Sequence, residues 1–333
     1  MLDLARLNGI RLHARPRSHR FIGSTFLRAC YEPFGRVERV FEGLEKLPPT
    51  PVIVAMNHTD RYNYFPWQYH LYHHQNRFTA TWVKGKYYEN AAIGAFMEMT
   101  NNIPTTSRGY IIAKDYVLTV GQKPSPAQYE WLRRSVDAVM YGEPVPEQNV
   151  PIPDVLFARP RTILGVPWSP DMGSWQQGIA ATFTAMMARF VEMNREARDL
   201  GLDIIVFPEG TRTRRISRGH TGIAQMALFL KMPIVPVGCS GCDVLYPGGN
   251  PVPRSGRVVY RVGDVIPVET LQQWSPVDAF TPFSPHDERR LRAPLQNLVD
   301  TVMDRINDLV DEPYRRGPGD DGRGTTLGVD RFI

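Results

Sequence analysis

The chain has 333 residues, 42% of them hydrophobic and 22% charged, the proportions of an ordinary globular protein with enough length for one large α/β domain or two modest ones. It has no run of 18 apolar residues and no continuous apolar stretch in the N-terminal MLDLARLNGIRLHARPRSHR, which argues against a spanning helix and against a secretory signal peptide. Three cysteines are too few for a disulfide framework and fit a reducing compartment, and a net charge of +5 suits an anionic partner such as a phosphate ester, coenzyme A or a membrane surface better than it argues for nucleic acid.

The first forty residues carry arginines at 6, 11, 15, 17, 20, 28, 36 and 39, interleaved with Leu2, Leu4, Leu7, Ile10, Leu12, Phe21, Ile22, Phe26, Leu27 and Tyr31. This pattern fits basic amphipathic helices over 1–40 that lie on an anionic membrane, and it fits equally a pair of surface helices packed on the domain. From Pro51 the pattern changes to apolar runs of strand length alternating with helical stretches. Strands are predicted at 51–56 (PVIVAM), 78–83 (FTATWV), 203–207 (DIIVF), 233–237 (PIVPV) and 257–262 (RVVYRV). Helices are predicted at 64–74, 90–99, about 174–199, near 223–230 and about 287–311, the last from the spacing of Leu291, Leu295, Leu298, Val302, Ile306 and Leu309. Strands alternating with helices imply an α/β fold with a mostly parallel twisted sheet flanked by helices, here over 41–311. Prolines cluster between Lys123 and Pro170, so most of 142–170 is expected to be irregular, although 129–140 can form a helix. A long insert of about 110–173 in an α/β domain reads as a lid or a partner-binding loop. The Gly-rich polar tail, 312–333, is expected to be disordered.

Three stretches carry candidate chemistry. Asn57-His58 directly follows the strand 51–56, and the carboxyl end of a strand in an open α/β sheet is where ligands bind; a lone histidine is more often structural. FPEGTRTR (207–214) follows the strand 203–207. Gly210 lets backbone approach a ligand, Thr211 and nearby N–H groups can donate to an oxyanion, and Arg212 and Arg214 can grip a phosphate. PIVPV reads as a core strand, with Pro236 suggesting an edge or a bulge. HLYHH (70–74) reads as a partly buried helix face rather than a metal site, and no other histidine pairs with acids at ligand spacing. CSGC (239–242) has no second CxxC and reads as a structural pair rather than a redox or zinc half-site.

Together these pieces resemble the glycerophosphate acyltransferase family, which contains the 1-acylglycerol-phosphate (lysophosphatidate) acyltransferases. The resemblance rests on NH (57–58), on NNIPTTSRG with Arg108 at the position of the family's arginine, on FPEGTRTR, on MPIVPV, and on Lys84 ten residues before Gly94. It spans roughly 35–110 and 174–310 and does not account for the long insert. It departs from the family at Asn63, which stands where the family has aspartate; the nearest acid is Asp60.

The resemblance implies a fatty acyl transfer from acyl-CoA or acyl carrier protein to a lysophospholipid or similar phosphate-bearing hydroxyl. The residues themselves add the expectation of a cytoplasmic protein, peripherally membrane-bound through its basic N-terminus and without a spanning segment, with no cofactor, no metal and no nucleic-acid partner. The chemistry asks for matching groups. A hydroxyl attacking a thioester needs a base near neutral pH, here His58, with its other nitrogen held by Asn63 or Asp60. The oxyanion needs donors, here the Gly210–Thr211 backbone, and Glu209, Gly210, Thr211 and Arg212 would shape that site. The phosphate needs cations, here Arg108, Arg212 and Lys84. Two other readings follow from the departures: a weak or inactive member that binds lipid or a partner protein, favoured by Asn63, and an acyltransferase with a non-phosphate acceptor, favoured by the insert.

Overall fold

The computed structural model describes residues 1–32, 37–274 and 279–317. Its centre is a seven-stranded sheet made of β1 (Val37–Glu42), β2 (Ile53–Met56), β3 (Thr79–Lys84), β4 (Asn102–Thr105), β7 (Asp203–Val206), β8 (Ile234–Ser240) and β9 (Gly256–Val262). A two-stranded hairpin, β5 (Arg161–Ile163) with β6 (Val166–Trp168), stands apart from it. The order in the main sheet is β1-β9-β8-β2-β7-β3-β4. Only the β8–β9 pairing is antiparallel, so five neighbouring strands run one way and β9 and β1 the other.

The central strands are apolar throughout because both faces are covered. On β2, Ile53 and Ala55 enter one core while Val54 and Met56 enter the other, as the two-residue period of a strand requires. Helices Arg108–Val120, Pro126–Tyr141, Trp175–Asp199, Gly222–Leu230 and Arg292–Leu309 cover the first face. The turns after β1 and the helix Phe65–His70 cover the second. Pro236 lies in β8, an interior strand, rather than at an edge or bulge. Its carbonyl accepts from Gly263 N–H at 2.9 Å, so its missing donor also faces β9, one residue before that antiparallel pairing begins at Val237.

The N-terminal segment is part of the domain. Leu2, Leu7, Ile10 and Leu12 are buried in the first core. Arg6 pairs with Glu98 at 2.6 Å, and Arg189 donates to the carbonyls of Leu7 and Ile10. The apolar stripe of 1–12 is therefore filled by protein. β1 also starts before residue 40, so 1–40 is not a separate helical unit.

The insert is more regular than its prolines suggest. Pro126 sits in the first turn of its helix, where no N–H is needed, and Ser125 with Gln128 forms a capping box. Helices 108–120 and 126–141 pack on Trp175–Asp199, which has its own capping box at Ser174 and Gln177. The buried Asp115 carboxylate takes two hydrogen bonds from Arg161 and one from the Trp175 indole. The stretch 142–154 is irregular, yet Trp131 donates to the carbonyls of Pro146 and Glu147. The start of the tail is packed too: Tyr314 is buried, with its hydroxyl donating to Asp243 at 2.6 Å. The rest of the expected disordered tail, from 318, lies outside the described residues.

Candidate active site

Three adjacent strands deliver the candidate residues to one edge of the sheet. β2, β7 and β3 run parallel; the first two continue at their carboxyl ends into Asn57-His58 and Phe207–Arg212, and β3 ends on Lys84. Sequence separations of well over a hundred residues are thereby closed by strand pairing alone.

Asn57 extends the ladder with its side chain. Its amide donates to Cys239 O at 2.9 Å and accepts from Cys239 N at 2.7 Å, fixing the end of β2 to β8. His58 is then gripped through its backbone. Its N–H donates to Glu209 Oε1 at 2.8 Å, and its carbonyl accepts from Thr213 N at 2.9 Å. The imidazole stacks on Phe207, centroids 4.2 Å apart at 19°. Burial first, then the charges of Arg212 and Lys84, lowers its pKa from 6.5 to about 3, opposed by the Asn63 side chain. His58 is neutral at pH 7 in this state.

Asn63 is fully buried, and its amide N–H donates to Asn57 O at 2.7 Å. That bond fixes which end of the amide is which. Oδ1 is left as an acceptor and, like His58 Nδ1, is buried without a partner at strict geometry. An Asn63 oxygen facing Nδ1 selects the Nδ1–H tautomer and leaves Nε2 as the lone-pair nitrogen.

Asp60 is placed differently from the sequence expectation. Oδ1 accepts from Tyr62 N at 2.7 Å, an Asx turn, and Oδ2 accepts from Thr59 Oγ1 at 2.9 Å. Burial raises its pKa from 3.8 to about 6, opposed by those bonds and by the Cys242 thiol. Its carboxylate shapes the loop and does not reach the imidazole.

Glu209 also has a role that sequence reasoning missed. Besides the His58 N–H, it accepts from Thr213 Oγ1 at 2.6 Å and from both Ser217 N and Ser217 Oγ at 2.9 Å. With one donor on Oε1, three on Oε2 and 2% exposure, it is a buried staple between the two motifs. Ser217 and Thr213 belong to this device, and no sequence spacing distinguishes them.

Gly210 has φ +62°, the left-handed region, and an added Cβ would lie 3.0 Å from the His220 ring. Its N–H is committed to Phe207 O at 3.0 Å and cannot serve an oxyanion. Among the described residues the Thr211 N–H meets no acceptor, so Thr211 is the remaining backbone donor of the pair. Arg212 is exposed beside the site. Arg108 is not with it: it pairs with Asp137 at 3.2 Å and Glu288 at 3.8 Å, and its Nη1 donates to Tyr141 Oη at 3.1 Å. These bonds clamp helix 108–120 to the insert and to helix Pro285–Arg290.

The other histidine and cysteine motifs are structural by geometry. His70 stacks on Phe41 at 3.9 Å, and Cys239 and Cys242 are buried free thiols. No group of three or more metal-ligating side chains occurs among the described residues.

Comparison with known families bears on the loop that faces His58. The model of the acyltransferase family matches residues 175–240, which include β7, FPEGTRTR and β8. The family resemblance read from the motifs stands. A crystal structure of the 1-acyl-sn-glycerophosphate (LPA) acyltransferase, PlsC, from Thermotoga maritima is similar at 14% identity and a TM-score of 0.41, over 87% of this chain and 93% of that one. No curated protein matches the chain.

Proposed function

We propose that the protein moves a fatty acyl group from a thioester, acyl-CoA or acyl carrier protein, to the hydroxyl of a lysophospholipid-like, phosphate-bearing acceptor, with His58 as the general base. The observation that carries this reading is His58 itself: it is held at the carboxyl end of β2 with the Asn63 side chain, Lys84 and Arg212 all close enough to act on its charge. The acceptor hydroxyl oxygen attacks the thioester carbonyl as Nε2 takes its proton. The oxyanion forms against Thr211 N–H. The intermediate then expels the thiolate, which recovers the proton from His58.

The two cations have a second effect. They depress the basicity of His58 while the site is empty. An acceptor phosphate between them offsets their charge and raises the imidazole pKa toward its ordinary value, so the base strengthens when the acceptor is bound.

Arg212 and Arg108 separate by experiment. Arg212→Ala removes a charge-assisted contact of about 1.5–3 kcal/mol and raises KM for a phosphate acceptor roughly tenfold or more, with little change for the donor. Arg108→Ala acts on stability through the broken clamp, seen as a lower melting temperature with near-normal acceptor KM. If Arg212→Ala leaves the acceptor KM unchanged, a non-phosphate acceptor becomes the better reading.

Among the described residues no helix is long and apolar enough to cross a membrane. We propose peripheral docking on anionic lipid through the segment 17–31. Arg17, Arg20 and Arg28 are exposed, and Phe21 is 70% exposed. Ser18 Oγ donates to the carbonyl of Met99, a residue 57% exposed, which adds a second exposed apolar residue to this region. Polybasic attraction is worth on the order of 1 kcal/mol per residue and is screened by salt. Sedimentation with anionic vesicles should weaken in high salt and in Phe21→Glu; equal binding to neutral vesicles would contradict the electrostatic part. Deleting 1–40 is not a usable test, because Leu2, Leu7, Ile10 and Leu12 are in the core.

A further inference from the structure

We infer that Tyr260 is a positioning residue for His58, acting from two strands away through Asn63; this rests on the reading of His58 as the base. Tyr260 lies on β9, separated from β2 by β8, and is fully buried. Its ring is stacked on Phe41, centroids 5.2 Å apart at 9°, and tilted against Trp67 at 5.8 Å. Phenylalanine would satisfy that packing. A buried hydroxyl is unfavourable unless bonded, and this one donates to the backbone carbonyl of Asn63 at 2.6 Å. Its contact with Cys242 Sγ, at 3.9 Å, is long for a bond.

That bond anchors the Asn63 backbone from β9, and a second one, from Asn63 Nδ2, anchors its side chain. The loop 57–63 is closed by Asn63 Nδ2 on Asn57 O and tied to β8 by Asn57 on Cys239. Between these fixed points, His58 Nδ1 and Asn63 Oδ1 are the two buried side-chain atoms of the loop without a partner at strict geometry. A displacement of a few tenths of an ångström decides whether they bond, and with it which imidazole nitrogen carries the proton. Tyr260 holds the carbonyl of the residue that makes this choice. The residue lies in the strand RVVYRV, where a single tyrosine reads as an ordinary core aromatic.

The test is the tautomer of His58, read by nitrogen NMR of the full chain carrying ¹⁵N-histidine, with the His58 signals identified by their loss in His58→Gln. The wild type should show Nδ1–H with Nε2 unprotonated at pH 7. Tyr260→Phe removes one oxygen and no packing, and should give a mixture of tautomers. In an Asn63→Ala background Tyr260→Phe should change nothing further. Turnover should follow the same pattern: kcat lower by roughly ten- to a hundredfold in Tyr260→Phe, KM for both substrates kept, and no added loss in the Asn63→Ala background. A wild-type tautomer in Tyr260→Phe, an additive effect in the double variant, or a Tyr260→Phe protein too unstable to measure would each overturn the inference, the last by showing that the hydroxyl holds the fold rather than the base. A tautomer shift in a protein that turns over no thioester would leave the inference standing and remove the acyltransferase reading.

Discussion

His58→Ala lowers turnover by roughly 10²–10⁴-fold and leaves the protein folded. The rate loss is that of a general base removed from its substrate. The fold survives because the residue is held through its backbone: the N–H on Glu209 and the carbonyl on Thr213 remain in alanine. What is lost is one stacked pair with Phe207, worth about 0.5–1.5 kcal/mol. Circular dichroism and melting should therefore be close to wild type while acyl transfer falls. Near-normal turnover in the folded variant would sink the proposed mechanism.

Glu209→Ala has the larger effect on stability and an equally severe one on activity. It orphans the buried N–H groups of His58 and Ser217 and two hydroxyls that now have one common acceptor. An unsatisfied buried donor costs about 1–3 kcal/mol, so a loss on the order of 3 kcal/mol is expected in denaturant unfolding. The same cut separates the His58 loop from the Arg212 loop, so base and acceptor contact lose their mutual geometry. Unfolding within about 0.5 kcal/mol of wild type would show that Glu209 is not the staple described here. A change in acceptor KM alone, at full stability, would restore it to the binding site.

The sheet was legible in the sequence where strands are buried on both faces. Runs such as IVAM, DIIV and IVPVGCS leave no polar alternation, and five of the seven main strands are of this kind or close to it. β1, VERVFE, lies at an edge with charged residues, and β4, NIPT, contains Pro104 next to a single buried isoleucine, so neither carries a strand signal of its own. The arginine-rich start shows a different limit. An amphipathic stripe looks the same whether a bilayer or the protein's own core covers it, and only tertiary contact shows Leu2, Leu7 and Ile10 inside.

The site was legible to the extent that chemistry sits at strand ends. His58, Lys84, Thr211 and Arg212 follow strands that pairing brings together. The roles of polar groups were not, because motif spacing says that a carboxylate is near a loop and nothing about what it accepts. Glu209 turned inward to four donors, Asp60 to its own turn, and Arg108 to Asp137 and Glu288. Each is decided by neighbours far away in sequence.

The most direct test of the central claim is acceptor-dependent thiol release from an acyl thioester by the wild-type chain, measured beside His58→Ala with and without a lysophosphatidate-type acceptor. Release should require the acceptor, appear in the wild type, and be lower by at least about a hundredfold in the variant. Release that ignores the acceptor, that persists in His58→Ala, or that is absent from the wild type with every thioester tried would contradict it.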